Sequence, residues 1–370
     1  MGMSTPMGAP VARPALRGGM SALRGGPSRL EAPWRLLARI VATTFTACAL
    51  AGATLARADD APAGAPPGAS APAPGLDCPP PPVPTTEEAV AAGMRDARDA
   101  GFLWKATKDG HASWLFGTIH IARSDWRFPG PHVLAALASS DDVALELDPT
   151  DPDIVRRLQG LITRRPGSPE LPAALETRLR AQIRAACVDP AALAGLRPEM
   201  RAISIEVMAG RRLGLEPDYG VDIFLAQLAH ELHKPVRSLE TPELQASLLV
   251  SDDPRQTAQL VGDLVDELES GRGARILARL AADWHESRLD DLSAYRDWCE
   301  CLETPQERAD FVRLIDERNP AMADQVARWH ADGRSLFVAV GSLHMVGDIG
   351  LPAQLRARGF EVERIDYAQR

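Results

Sequence analysis

The feature that most constrains this chain is a four-residue pattern that occurs twice. Gly117-Thr118-Ile119-His120 follows the apolar run Trp114 to Phe116, and Gly341-Ser342-Leu343-His344 follows Val338 to Val340. Such short apolar runs read as buried strands. A glycine at the end of a strand lets the backbone turn sharply and leaves room for a ligand to approach. The histidine that follows then stands outside the sheet edge, where it can bind a metal or move a proton. Each pattern heads a longer unit of strand, G-x-x-H, loop with Pro or Gly, helix and strand, over 114–148 and again over 336–366. The two units bracket the domain, so one sheet needs both. The architecture expected is α/β, with a central mixed β-sheet flanked by helices. It is formed from two related strand–GxxH–helix–strand units with a helical insertion between them. If the units pair in one sheet, His120 and His344 share an edge.

The rest of the chain supplies the expected elements. Thr85 to Ala100 reads as a short helix with acidic residues in its first turn. Asp109-Gly110 separates two apolar runs, a strong hairpin signal. Val133 to Ser139 reads as a helix, and "DVALELD" as a buried strand carrying Glu146. Residues 150–330 are dominated by amphipathic helix patterns, including "VDIFLAQLAHELHK" and "ADFVRLIDERNPAMADQVARWH". "KPVRSLE" interrupts them as a strand ending at Glu240, and Thr241-Pro242 follows as a helix start, with Thr241 as cap.

The N-terminal residues have a different character. Residues 31–58 have the form of an export signal: Arg35 and Arg39, an apolar stretch from Ile40 to Leu55, and Ala56-Arg57-Ala58 as an A-x-A site. Cleavage is expected after Ala58, giving a periplasmic or secreted protein with no stable membrane insertion. The alternative is an uncleaved anchor. Met20 is an alternative start, and residues 59–84, mostly Ala, Pro and Gly, read as a solvated linker. The domain proper is 85–370. The full chain carries a net charge of −9; residues 1–58 hold seven Arg and one Glu, net +6, so the remainder carries −15. So acidic a domain, without a basic cluster, argues against nucleic acid as a partner. Cys78, Cys187, Cys299 and Cys301 follow the signal. They can pair in an oxidising compartment. One pairing joins Cys187 to Cys299 or Cys301, although spacing does not settle the connectivity.

The candidate chemistry rests on few residues. His120 and His344 with Glu146 make a plausible site for Zn²⁺, Mn²⁺ or Co²⁺. Glu146 interrupts an alternating apolar strand and needs a partner, whether a metal or a nearby Arg. Asp148 and Glu240 are similar strand-end carboxylates. Arg318 lies between helical patterns, either as an oxyanion or carboxylate binder or as a surface helix-end residue. His230-Glu231-Leu232-His233 is not H-E-x-x-H, because its histidines are three apart. The chain has neither a P-loop nor a G-x-S-x-G elbow, and Cys187 lacks a protease signature.

"LFGTIHI", "ALELD", "YGVDIFLAQLAHELHKPVRSLETPELQ", "DERNPAMADQV" and "LFVAVGSLHMVGDIGLPAQLRARGFEVERI" occur in the order seen in the TraB/PrgY/GumN family, which the chain resembles over roughly 101–368. The Tiki proteases and, more remotely, the erythromycin esterases share its two G-x-x-H motifs. The resemblance implies His120 and His344 as paired active-site histidines and Glu146 as their acidic partner. It also carries over Glu240 in "LET" and Arg318 in "RN". Tiki-like members are divalent-metal-dependent peptidases, and PrgY-like members limit peptide pheromone activity. A signal segment and no C-terminal membrane helices make the chain look most like the GumN-type group. The expectation is an exported metal-dependent hydrolase of peptides or proteins. His120, Glu146 and His344 would hold the metal, Glu240 would act as general base, and Arg318 would steady the oxyanion. A metal-free esterase-like hydrolase and a non-catalytic peptide- or glycan-binding protein are the alternatives.

Overall fold

The structure, a computed structural model, describes residues 78–80, 82 and 86–367, apart from the side chain of Gln306. The export signal, the alternative start and most of the linker lie outside the described residues. Six strands form one mixed sheet: β1 (Phe102–Lys108), β2 (His111–Thr118), β3 (Asp142–Leu145), β4 (Val236–Ser238), β5 (Leu336–Gly341) and β6 (Glu361–Ile365), in the order β4-β3-β5-β2-β1-β6. Asp109 and Gly110 turn β1 into β2 with φ of 52° and 85°. Positive φ at both central residues is the requirement of a tight type I′ hairpin. β1 pairs antiparallel with β2 and β6. The β2–β5, β3–β5 and β3–β4 pairs are parallel. Leu336 to Val340 are all buried, as a central parallel strand covered on both faces must be.

The two G-x-x-H units do pair in one sheet. β2 lies beside β5 in parallel register, with Thr118 opposite Gly341. Their following strands diverge, however: β3 flanks β5, whereas β6 crosses to the far edge beside β1. The first unit's strand stops at Leu145, so Glu146 is the first residue beyond it. The "ADFVRLIDERNPAMADQVARWH" pattern is three pieces rather than one helix: Pro305–Phe311, a π turn Val312–Asp316 and Asn319–Ala331. Pro320 supplies no N–H and restricts the residue before it, so the chain restarts there as a new helix. No helix among the described residues is long and apolar enough to cross a membrane.

The structure settles the cysteine connectivity that spacing left open, and Cys187 pairs with neither Cys299 nor Cys301. Cys187 is bonded to Cys78, and Cys299 to Cys301. The second bridge closes over one residue because Glu300 adopts φ 50°, which brings the Cα atoms within 5.1 Å. The first bridge pins the end of the linker segment to the helical insertion, and Arg211 donates to the Pro80 carbonyl beside it. It spans 109 residues of sequence. In the chain-entropy picture a loop of that size contributes about 4–5 kcal/mol. Cys78→Ser is expected to lose up to that amount in chemical denaturation under oxidising conditions.

Asp142 opens β3 and ties its neighbours together. Its buried carboxylate accepts from Arg237 of β4 and from Arg334, just before β5. Burial pushes its pKa up, but the hydrogen bonds from Arg334 and Arg237 outweigh burial and hold it below the ordinary value. A carboxyl depressed in the folded state stabilises above its unfolded pKa, and that stability is lost as pH falls through the folded one. Asp142→Asn should therefore cost roughly 2 kcal/mol at neutral pH. In urea titrations the gap to wild type should close below about pH 4.

Candidate functional site

The parallel strands deliver one site residue each, just beyond their C-terminal ends. His120 follows β2, Glu146 follows β3, Glu240 follows β4 and His344 follows β5. Ligands of open α/β sheets bind at that edge. Arg318 reaches the same place from the N-cap of the Asn319–Ala331 helix. All five side chains are buried, with relative exposures of 2–8%.

Glycines make the assembly possible. A Cβ on Gly117 would lie 2.8 Å from Ser342 Oγ, which donates to the Thr118 carbonyl and stitches the two motifs together. A Cβ on Gly341 would lie 3.2 Å from His120 Nε2 and 3.4 Å from Glu146 Oε1. The missing side chain is thus the gap between those two groups. Gly220 closes the third side: its Cβ would meet the His120 carbonyl at 2.6 Å. Val221 then donates to the Ile119 carbonyl and starts the Val221–Glu231 helix. This contact places Asp222 beside the first motif.

Arg318 is the electrostatic centre. Nε donates to Glu240 Oε1 at 2.7 Å, and Nη2 donates to Glu146 Oε2 at 2.7 Å and also to Glu240 Oε2. Nη1 donates to the Leu314 carbonyl at 3.0 Å and to His344 Nε2 at 3.2 Å. A guanidinium has five N–H donors, and here each has a protein acceptor. Gln245 Nε2 adds a bond to Glu240 at 2.9 Å. Burial lowers the Arg318 pKa, but the charges of Glu146 and Glu240 outweigh it and raise the value. Glu146 is pushed up by burial, yet Arg318, the two histidines and the Gly341 N–H, which donates at 2.9 Å, hold it far below the carboxylate range.

The two histidines sit in opposite environments. His344 Nδ1 donates to Asn319 Oδ1 at 2.7 Å, and its Nε2 accepts from Arg318. Burial and the Arg318 charge push its pKa down to about 3, so it is neutral. His120 Nδ1 lies 3.1 Å from Asp222 Oδ1, and Nε2 lies 3.8 Å from Glu146 Oε1. Burial lowers the His120 pKa, but the Asp222 charge, its hydrogen bond and the charge of Glu146 raise it further.

The donor set fits a three-ligand metal centre only in part. His120 Nε2 and Glu146 Oε1 converge on the gap at Gly341. His344 turns Cδ2, not a nitrogen, toward that gap, 3.8 Å from the Gly341 Cβ position. Among the described residues no group of three or more His, Cys, Asp or Glu side chains is arranged to hold a metal ion. Nor do Arg318 and Glu240 stand as sequence reasoning placed them: the arginine has no donor left for an oxyanion, and both Glu240 oxygens are held. Asp222, Gln245 and Asn319 were not singled out from the sequence. Asp222 lies in the "YGVDIF" stretch, where Gly220-Val221-Asp222 was the available signal. Asp148 stands apart, accepting from Thr150.

Above the polar cluster is a pocket that opens to solvent. His120, Glu146, Arg318 and His344 form its polar part, and the Arg272–His285 helix supplies much of its apolar wall. Trp284 on that helix donates from Nε1 to the Gly117 carbonyl at 2.8 Å.

Paired G-x-x-H histidines on adjacent parallel strands, closed over a buried Glu–Arg–Glu cluster, define an α/β protein of the two-GxxH class. The chain belongs to the TraB/PrgY/gumN family, which it matches over residues 102–364. It is 26% identical over 280 residues to a protein of Escherichia coli (strain K12) described as "Uncharacterized protein YbaP", covering 69% of this chain and 97% of that one. A protein of the same description from Shigella flexneri gives the same figures. No solved structure matches the chain.

Removing the arginine tests the cluster. Arg318→Met leaves two buried carboxylates without their cation, and should cost about 3–5 kcal/mol. Arg318→Lys should rescue little, because an ammonium cannot span both carboxylates as a planar fork does. Adding Glu146→Gln and Glu240→Gln to Arg318→Met should recover part of the loss in urea denaturation.

Proposed function

We propose that the chain is a hydrolase of peptide bonds in which His120 activates water. The observation that carries this reading is the His120 geometry. Nδ1 is backed by Asp222 at 3.1 Å, while Nε2 faces the pocket beside Glu146 Oε1. A base oriented by a carboxylate behind it and lining the pocket is the arrangement general-base catalysis needs. Water in the Gly341 gap gives its proton to Nε2 and its oxygen attacks the carbonyl. Glu146 Oε1 accepts the second water hydrogen and fixes the direction of attack. The imidazolium, stabilised by Asp222 and Glu146, then protonates the leaving amine. Arg318, Glu240 and His344 position Glu146 and do not touch substrate.

A second reading keeps the metal. Convergence of His120 Nε2 and Glu146 Oε1 on one gap favours it, with His344 as third ligand once released from Arg318. When bound there, Zn²⁺, Mn²⁺ or Co²⁺ lowers the pKa of water and polarises the carbonyl. Export of the protein accords with two disulfides, which persist in oxidising compartments.

The test is turnover of a fluorogenic peptide library, with metal content by mass spectrometry. His120→Ala and Asp222→Asn should each lower kcat by about 10²–10⁴-fold with melting curves unchanged in cooperativity. Turnover that survives chelator supports His120 as the base. Turnover lost to chelator and restored by one of the three ions, with metal absent from His120→Ala, favours the second reading. A wild type that cleaves no peptide under either condition ends both.

A further inference from the structure

We propose that the pocket selects substrates by an apolar side chain next to the bond being cut, with Leu277, Leu280 and Leu292 as the specificity-determining residues. This inference rests on the peptidase reading above. Leu277, Leu280 and Trp284 recur at i, i+3 and i+7 on the Arg272–His285 helix, so they share one face. That face lines the pocket together with Leu292, Ile315 and Leu343. Leu277 and Leu280 are only half-buried, although a helix normally covers its apolar stripe. Here the stripe is turned toward the pocket.

The polar part of the pocket sharpens the selection. Every Arg318 donor is taken by a protein acceptor, so a substrate carboxylate finds no free guanidinium at the pocket base. A basic side chain or a sugar would leave charge or hydroxyls against leucine, which is costly without partners. An apolar side chain displaces water from apolar wall and gains from burial. The wall is also tied to the catalytic strand. Trp284 donates to the Gly117 carbonyl, and its own carbonyl accepts from Gly101 at 2.9 Å. The selecting surface therefore keeps a fixed distance from His120.

The test varies one residue at a time in peptide substrates of the full chain, comparing Leu, Phe, Ser, Asp and Lys. Alongside it, binding of the uncharged fluorophore N-phenyl-1-naphthylamine is measured. Wild type should prefer Leu or Phe over Ser or Asp by roughly 10–100-fold in kcat/KM. Leu280→Glu should reduce that preference about tenfold, raise Lys relative to Leu and abolish fluorophore binding. Leu292→Ala is the milder companion, expected to shift preference toward larger apolar residues if the charged variant does not fold. Equal cleavage of apolar and charged peptides by wild type overturns the specificity while the hydrolase reading stands. So does an unchanged preference in folded Leu280→Glu. Fluorophore binding that is lost in Leu280→Glu, with no peptide cleaved, supports the apolar selection and ends the hydrolase reading. Neither binding nor cleavage overturns both.

Discussion

The arrangement depends on one buried cation. Arg318 joins Glu146, Glu240, His344 and the Leu314 carbonyl through a single planar fork. Two carboxylates taken out of water would each shift toward the neutral form without a partner. Three of the five guanidinium donor bonds reach the carboxylates and, with Gln245 on Glu240 and the Gly341 N–H on Glu146, fix both in orientation. Such a cluster is a poor source of net stability, because desolvation offsets most of its Coulombic gain. Its value here is geometric. It holds one oxygen of Glu146 on the arginine and turns the other, Oε1, toward the Gly341 gap and His120.

The sheet explains why these groups can meet at all. Parallel strands all end at the same edge, so residues far apart in sequence arrive side by side. Glu146 and Glu240 are neighbours through the Glu240 N–H to Glu146 carbonyl bond at 3.0 Å. The two G-x-x-H glycines then do different work. Gly117 admits Ser342, whose hydroxyl locks the motifs together, while Gly341 leaves space between His120 and Glu146. The Asp109-Gly110 hairpin and β6 only complete the far side of the sheet.

Much of this was legible in the sequence. Local signals carried the hairpin, the Thr241 cap, the strand runs and the paired G-x-x-H units, because each depends on residues close in the chain. Glu146 stood out because a carboxylate within an apolar run demands a partner. What escaped depends on long-range approach. Asp222 is one acidic residue in a helix start, and only the contact of Gly220 with the His120 carbonyl brings it to the ring. Gln245 and Asn319 look like ordinary helix residues until Glu240 and His344 lie beside them. The roles first given to Arg318 and Glu240 presumed free donors and acceptors, and satisfaction of hydrogen bonds is a property of the assembled site. Cysteine pairing stayed open for the same reason: connectivity is set by the path of the insertion, not by spacing.

The two histidines are equivalent as motifs and opposed as chemistry. Each follows a glycine at the end of a parallel strand, yet their second partners differ in charge. His344 has a guanidinium on Nε2 and an amide oxygen on Nδ1, which fixes one neutral tautomer. His120 has a carboxylate on each side, and their charges raise its pKa above the ordinary histidine value. A pair of titratable groups whose environments push them apart divides the labour of a site. Here the carboxylates beside His120 favour proton uptake, while His344 is neutral and serves as a fixed acceptor for Arg318. The duplication of the motif therefore builds two histidines of opposite electrostatic surroundings. The asymmetry comes from Asp222 and Arg318, which lie outside both copies.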